Sequence, residues 1–419
     1  MVYPRGPALD LARDRSRPDA ATGMELSERM LWASGLSERV DVREAAKEAV
    51  AAALDDLGGA RPDLALVFVS SLYAPRYAEL ASLLAELLPG IVIAGCSAIG
   101  VIGGGREVER REALSVVLAS LPKVQARAFH LESLPTDEAG WERLTGIAPK
   151  AHDGASFLLF ADPYSVEADA LLAPLDAMYP RAVKLGGMAS GATRVGDVGL
   201  FYGGMLLRDG VVGVALSAPL IVDAVVAQGC RPIGEPMIIT RSRESVIQEL
   251  NVGRPMDALQ RTFKGLSPRD QELGRHSLYV GIEMRSGGHR YEHGDFLVRE
   301  VAGFDPQTGA MAISGGCQDY QVVQFHLRDA QTSAQDLEQR LSDVVRKLGG
   351  TSAAGALLFS CVGRGHALYG ESNHDSNLVR RLLGTIPIGG FFGAGEFGPV
   401  GDRTFFHGSA SSIAVLSNG

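Results

Sequence analysis

Cys361 stands in the run Phe359-Ser360-Cys361-Val362-Gly363-Arg364-Gly365-His366. A thiol beside a guanidinium and an imidazole has the parts of a nucleophile, with Arg364 lowering its pKa and His366 serving as base. The same residues also suit a small, half-buried thiol closing an apolar strand. Cys96 and Ser97 close a second apolar run beside glycine, where a side chain can face a cleft. Arg328-Asp329 ends an apolar run just before a helical stretch, and Arg106-Glu107 follows Gly103-Gly104-Gly105. Each pair fits a cap or salt bridge, or an arginine fork held by its carboxylate for an anionic ligand. Glu396 lies among glycines in an apolar segment, and a buried carboxylate needs a partner. It is tied to an arginine or placed for a ligand. His407 closes the Phe-rich stretch that follows. His289, Tyr291, His293 and Asp295 alternate, so on a strand they share one face and suit a metal. The flanking Gly287, Gly288 and Gly294 favour a solvated loop instead.

Several chemistries are excluded by what surrounds the motifs. Gly393-Ala394-Gly395-Glu396-Phe397-Gly398 is a literal GxGxxG, but Pro399 and a Phe-rich run follow, not the helix whose amides would hold a pyrophosphate. No Gly-Lys pair exists, so a P-loop is absent, and no HExxH, G-x-S-x-G or EF-hand pattern occurs. A formal net charge of −9 argues against a nucleic-acid or anionic-membrane footprint. The four cysteines are far apart without a CxxC, which fits free thiols in a reducing cytoplasm. Residues 87–105 are free of charge but hold Pro89 and six glycines, so they read as strand and loop rather than a membrane span.

The elements that must position these residues recur. With 419 residues, 46% apolar and 21% charged, the chain suits a multi-domain globular protein. Residues 1–22 are polar and Pro/Arg-rich and read as a disordered lead without a signal peptide. Val42, Ala45, Ala46, Ala49, Val50, Ala53, Leu54 and Leu57 mark one helical face closed by Gly58-Gly59. A unit of apolar strand, helix, proline and glycine-rich strand then appears three times. It runs from residues 64–70 through Pro89 to 91–100, from 156–161 through Pro180 to 182–191, and from 356–361 through Pro387 to 388–398. Phe68, Phe160 and Phe359 mark its start, and Gly95, Gly186 and Gly389 its glycine-rich part. Continuous apolar strands joined through helices predict sheets covered by helices.

A boundary is expected near 232–255, where Pro232, Pro236 and Pro255 sit, with a helical stretch over 244–250 bridging two halves. Further strands are expected at 277–283, 295–301 and 322–327, a turn at 305–309, and a helix over 334–348 capped by Gly349. The reading is an α/β (α+β) fold of two intimately joined domains, 35–235 and 236–419, with mixed sheets covered by helices.

Taken as a set, several segments resemble the FIST family, the F-box and intracellular signal transduction domains. They are residues 93–107 (IAGCSAIGVIGGGRE), 229–236 (GCRPIGEP), 324–330 (QFHLRDA) with Asp336-Leu337, 359–365 (FSCVGRG) and 390–408 (GFFGAGEFGPVGDRTFFHG). The resemblance spans residues 35–418. It implies a cytoplasmic sensory protein that binds a small molecule, such as an amino acid or similar metabolite, and signals through a separate protein. The ligand-binding candidates are Cys96, Ser97, Arg106, Glu107, Arg328, Asp329, Cys361, Arg364, Glu396 and His407. Some bacterial members resemble haem-based nitric-oxide sensors, for which His407, His326 and His366 are the axial candidates. A thiol enzyme using Cys361 and a partner-binding scaffold are the other readings. No catalytic set of nucleophile, base and orienter assembles from the sequence, and neither nucleic acid nor membrane is an expected partner.

Overall fold

Apolar runs between turn signals form strands along a path that the chain takes three times. The computed structural model describes residues 29–150, 154–284, 291 and 294–418. The first unit comprises β1 (Leu31–Ser37), α1 (Val42–Asp56), β2 (Leu64–Ser70), a 3-10 turn, α2 (Tyr77–Leu87), β3 (Val92–Ala98), the hairpin β4 (Gly100–Gly103) and β5 (Arg106–Glu109), and β6 (Leu114–Ser120). The second repeats the order as β7 (Ala126–Leu131), α3 (Glu138–Thr145), β8 (Ser156–Ala161), α4 (Ala168–Met178), β9 (Val183–Met188), the hairpin β10 (Leu200–Tyr202) and β11 (Met205–Leu207), and β12 (Val211–Leu216).

The third unit opens with β13 (Ile221–Ala227) and is interrupted there by an insert. The insert holds β14 (Cys230–Arg243), β15 (Val246–Leu250), α5 (Pro255–Lys264), α6 (Pro268–Gly274), β16 (Leu278–Glu283), β17 (Phe296–Phe304), β18 (Met311–Ile313) and β19 (Val322–Arg328). Its strands close a barrel in the order β14-β15-β18-β17-β16-β19. The unit then resumes with α7 (Ala330–Leu348), β20 (Gly355–Cys361), α8 (His366–Tyr369), α9 (His374–Leu383), β21 (Ile388–Gly393), the hairpin β22 (Glu396–Val400) and β23 (Arg403–His407), and β24 (Ser411–Ser417).

Three six-stranded sheets result: β1-β6-β2-β3-β10-β11, β7-β12-β8-β9-β22-β23 and β13-β24-β20-β21-β4-β5. Each takes its last hairpin from another unit. The first unit's hairpin completes the third sheet, the second's completes the first, and the third's completes the second.

Side-chain alternation explains the layers. In β2, Leu64, Leu66 and Phe68 point to a core shared by all three sheets, while Ala65, Val67 and Val69 point outward under α1 and α2. In β8, Leu158 and Phe160 face the shared core, and Phe157, Leu159 and Ala161 face α3 and α4. In β20, Leu357 and Phe359 face inward, and Ala356 and Leu358 lie under α7 and α9. Burial of both faces is why these strands read as unbroken apolar runs. Phe68, Phe160 and Phe359 meet near the pseudo-threefold axis with ring centroids 5.6, 6.3 and 6.2 Å apart.

The central parallel pairs require glycine at one equivalent position. Gly95, Gly186 and Gly390 face Val67, Leu159 and Leu358 across the ladder, with φ of +159°, +135° and +152°. A Cβ there would lie 1.8, 2.0 and 1.9 Å from the facing carbonyl oxygens, which no side chain tolerates. The third member of the set is therefore Gly390 and not Gly389.

The expected helix over 244–250 is instead a reversal and a strand. Glu244, at φ 55°, turns the chain between β14 and β15, which pair antiparallel, and Ile247 and Leu250 fill the barrel core. Five residues after a tight turn gain more from pairing inside the barrel than from one isolated helical turn. Helix α7 starts four residues earlier than expected, because the Asp329 side chain caps it by accepting from the Thr332 N–H at 2.7 Å. The turn at 305–309 forms on the Asp305 carboxylate, which accepts from the N–H groups of Gln307 and Thr308. No helix among the described residues is long and apolar enough to cross a membrane.

Candidate functional site

Where the parallel strands end, the three units leave a pocket between them. The residues just past β3, β9 and β21 are equivalent by register: Ile99, Ser190 and Ala394. All three line a cavity of about 440 Å³. The carboxyl ends of strands are where open α/β sheets place ligands, because loops and not continuing strands occupy that edge. The Ser190 hydroxyl is the polar node. It accepts from the Ile99 N–H at 2.9 Å and donates to the Phe392 carbonyl, while the Ser190 N–H donates to the Ser97 carbonyl at 3.2 Å. One serine thus ties the three units together beside the cavity.

The remaining wall combines apolar and charged groups. Phe392, Val362 and Pro163 supply the apolar part, and Tyr164 reaches across it, its hydroxyl donating to the Ala192 carbonyl at 3.0 Å. Glu109 and Arg110 stand side by side on the same wall. One Glu109 oxygen accepts from the His366 N–H at 2.9 Å. Arg110 adopts φ 53°, rare for a side-chain-bearing residue, with its N–H donating to the Ile99 carbonyl at 3.0 Å. Its guanidinium is exposed and makes no ion pair among the described residues.

Loop 361–365 separates this pocket from a buried charge cluster. Val362 faces the pocket, while Arg364 points inward and is fully buried. Arg364 grips Asp375 with two bonds of 2.8 and 3.2 Å and donates to the Tyr369 hydroxyl at 2.5 Å. Burial alone would raise the Asp375 carboxyl, but Arg364 and His374 outweigh it and hold it well below the carboxylate range. Glu107 accepts from the Ser376 N–H at 2.7 Å, and burial with the nearby Asp375 charge pushes it up to about 7.

Glu396 is fully buried and pairs with no arginine among the described residues. One oxygen accepts from the Ala410 N–H at 3.0 Å and the other has no partner among the described residues. Burial pushes its carboxyl far up, while Arg364 and Arg328 oppose this only through their field. The expected arginine tie fails because Asp375 occupies Arg364 and the Gly363 carbonyl takes Arg328, at 3.3 Å. Cys361, at the edge of this cluster, is no ready nucleophile. Burial raises its thiol to about 11, so Arg364 does not produce the thiolate that its sequence position suggested.

The cluster thus brings together Glu107, Arg328, Cys361, Arg364 and Glu396. The other candidates stand apart. Cys96 faces Phe68 across the ladder inside the shared core, and burial pushes its thiol far up. The Ser97 hydroxyl accepts from the Gly199 N–H at 3.0 Å. Arg106 is exposed and pairs with Glu38 at 2.8 Å. Asp329 is the cap of α7 and lies 3.5 Å from Arg231.

None of the haem-ligand candidates lines the pocket between the three units, the axial pocket. His407 is fully buried, its Nε2–H donates to the Gly398 carbonyl at 3.0 Å, and burial pulls its pKa down to about 4. His326 lies in the barrel against Phe296, with Nδ1 2.9 Å from the Gln324 carbonyl. His366 is exposed at the start of α8. These residues do not fit an axial role, which needs an accessible imidazole nitrogen facing a cavity. In the alternating His/Tyr segment, the Tyr291 hydroxyl donates to Glu283 at 3.0 Å, and His289 and His293 lie outside the described residues. No metal-holding group of three or more His, Cys, Asp or Glu side chains occurs among the described residues.

Sequence reasoning missed Ser190, Tyr164, Glu109, Arg110, Asp375 and Tyr369. Superposing the three units on Gly95, Gly186 and Gly390 would have singled out Ser190, the polar counterpart of Ile99 and Ala394, each four residues on. Glu109 and Arg110 sit in a charged stretch, Arg106 to Glu112, where nothing in the sequence distinguishes them.

Comparison with known proteins gives this architecture a family. The chain matches the FIST N domain over residues 63–252 and the FIST C domain over residues 255–399. It is 38% identical over 383 residues to the uncharacterized protein Rv0628c of Mycobacterium tuberculosis, covering 91% of this chain and 98% of that one. It is 36% identical over 382 residues to the uncharacterized protein Mb0898c of Mycobacterium bovis, covering 91% and 97%. The chain belongs to the FIST family, whose domains are associated with ligand binding in sensory signal transduction.

Proposed function

We propose that this member of the FIST family is a cytoplasmic sensor that takes a small zwitterionic metabolite, such as an amino acid, into the axial pocket and signals to a separate protein. The observation that carries the reading is the pocket wall itself. A guanidinium without an ion pair among the described residues, Arg110, adjoins a carboxylate, Glu109, at the mouth of a 440 Å³ cavity with apolar walls. That volume falls within the range of small-molecule sites. Arg110 suits a ligand carboxylate through its planar fork, Glu109 suits an ammonium group, and Phe392, Ile99 and Val362 suit an aliphatic body.

Loop 361–365 gives such a ligand a route to the surface. A ligand against Val362 bears on the segment that places Arg364, and Arg364 anchors the first turn of α9 through Asp375. A shift of that loop would change how α8 and α9 present themselves to a partner.

Native mass spectrometry and thermal shift against a panel of amino acids and related metabolites test the reading. A retained adduct or a concentration-dependent shift is expected, weakened at least tenfold by Arg110→Ala, since a charge-assisted hydrogen bond contributes about 1.5–3 kcal/mol. Bare mass with no shift across the panel, or binding indifferent to Arg110→Ala, would overturn it.

A further inference from the structure

A larger cleft, of about 720 Å³, opens where the barrel meets the core. Helix α4 and strand β23 form one wall, and β16, β17 and the segment 316–321 form the other. Arg299 of β17 lines this cleft although only 6% of it is exposed. Its Nη1–H donates to the Phe406 carbonyl at 3.2 Å, and its Nε has no partner among the described residues. The carboxylate it faces is Asp169 of α4, at 4.0 Å, on a side chain that is 60% exposed. A buried guanidinium this weakly paired is costly to keep, and burial lowers its pKa from the ordinary value.

The surroundings leave room for it. Gly315 has φ +83°, and a Cβ there would lie 2.9 Å from the Arg299 guanidinium carbon. A second guanidinium, Arg403, sits on the same cleft over the Phe405 ring at 5.5 Å, with no ion pair among the described residues. The cleft's other carboxylates are already engaged. Asp176 is held by Lys184 at 2.8 Å and by Thr404, Glu283 by the Val322 N–H and the Tyr291 hydroxyl, and Asp319 by Ser242. Only Asp169 is loosely held, and it faces the guanidinium that needs an anion.

We infer that this cleft is a second ligand site, independent of the axial pocket, that takes an organic monocarboxylate on Arg299 in place of the Asp169 side chain. The guanidinium fork fits a carboxylate with two parallel bonds. Leu172, Ile282, Leu297 and Phe405 line the cleft and suit an apolar body. The four carboxylates around it repel a dianion more strongly than a monoanion, which favours a carboxylate over a phosphate.

Isothermal titration with benzoate, in an Arg110→Ala background so that the axial pocket does not contribute, tests the site. Asp169→Asn removes the competing carboxylate and is expected to tighten benzoate at least fivefold. Adding Arg299→Gln to it is expected to lose at least tenfold. Inorganic phosphate is expected to bind more weakly than benzoate. The inference is overturned by absence of saturable benzoate binding in Asp169→Asn, by no tightening there, by affinity unchanged in Arg299→Gln, or by tighter binding of phosphate. Because Asp169 is largely exposed, its variant keeps the test open even if Arg299→Gln fails to fold.

Discussion

The axial pocket and the Arg364 cluster lie on opposite sides of one five-residue loop and use charge in opposite ways. In the cluster, Arg364 and Asp375 are enclosed and bond to each other and to neighbouring side chains, Tyr369 and His374. At the pocket, Arg110 and Glu109 face a cavity, and the guanidinium makes no ion pair among the described residues. The cluster holds more of the residues that look functional in the sequence, yet the pocket holds the room. Charge inside a fold marks a binding site only when something beside it is left for a ligand.

That contrast is broken most forcefully at Arg364. Arg364→Met leaves Asp375 buried and uncompensated, and an unfolding free energy lower by about 3–5 kcal/mol is expected in denaturant titration. A loss under 1 kcal/mol would mean the pair is far more solvated than its burial shows. Next comes Ser190→Ala, which strips the partner from the Ile99 N–H and the Phe392 carbonyl. A loss of about 1–3 kcal/mol is expected, together with weaker ligand binding, because the pocket's three-way tie is cut.

The third test uses pH. Glu107 is raised to about 7 in the fold, so its contribution to stability is present below the ordinary carboxyl value near ~4.3 and is lost as pH rises through about 7. Glu107→Gln removes that loss, so the variant gains on the wild type as pH climbs through this window. The reverse trend would show Glu107 ionised in the native state. His407, pulled down to about 4, acts with the opposite sign. Its contribution is lost as pH falls from ~6.5 through about 4. The two overlap, so comparison of single variants, not the wild-type profile, separates them. The smallest expected effect is Arg110→Ala on stability, within about 0.5 kcal/mol, even though it is expected to weaken ligand binding at least tenfold. A large destabilisation there would place Arg110 with the structural charges and dissolve the contrast.

The repeated unit was legible because three strands buried on both faces leave unbroken apolar runs, and proline ends the helix before each glycine-rich strand. The barrel was legible only in part. Its strands at 277–283 and 322–327 stand out by composition, but residues 244–250 take their form from a turn at Glu244 and from pairing with distant β18. The hairpin exchange could not be read at all. Strands of three to five residues carry no periodicity, and their partners lie up to about 290 positions away, as with Gly103 and Gly389. At the site, Arg328, Arg364 and Glu396 stood out as charges inside apolar segments, and neighbouring strand ends gather them. Arg110 had no such signal, since its backbone conformation and its place on the pocket wall exist only in three dimensions.

The hairpin exchange also governs how this chain can be divided. Each sheet waits for a strand pair that another unit delivers, and the second sheet waits for residues 396–407, about 180 positions beyond its other strands. No point of severance between β1 and β24 yields two finished pieces. A fragment that stops before residue 396 leaves β9 with an open edge, the kind of surface that recruits strands from other molecules. The molecule is closed in the manner of three people linking arms, and its integrity belongs to the ring as a whole.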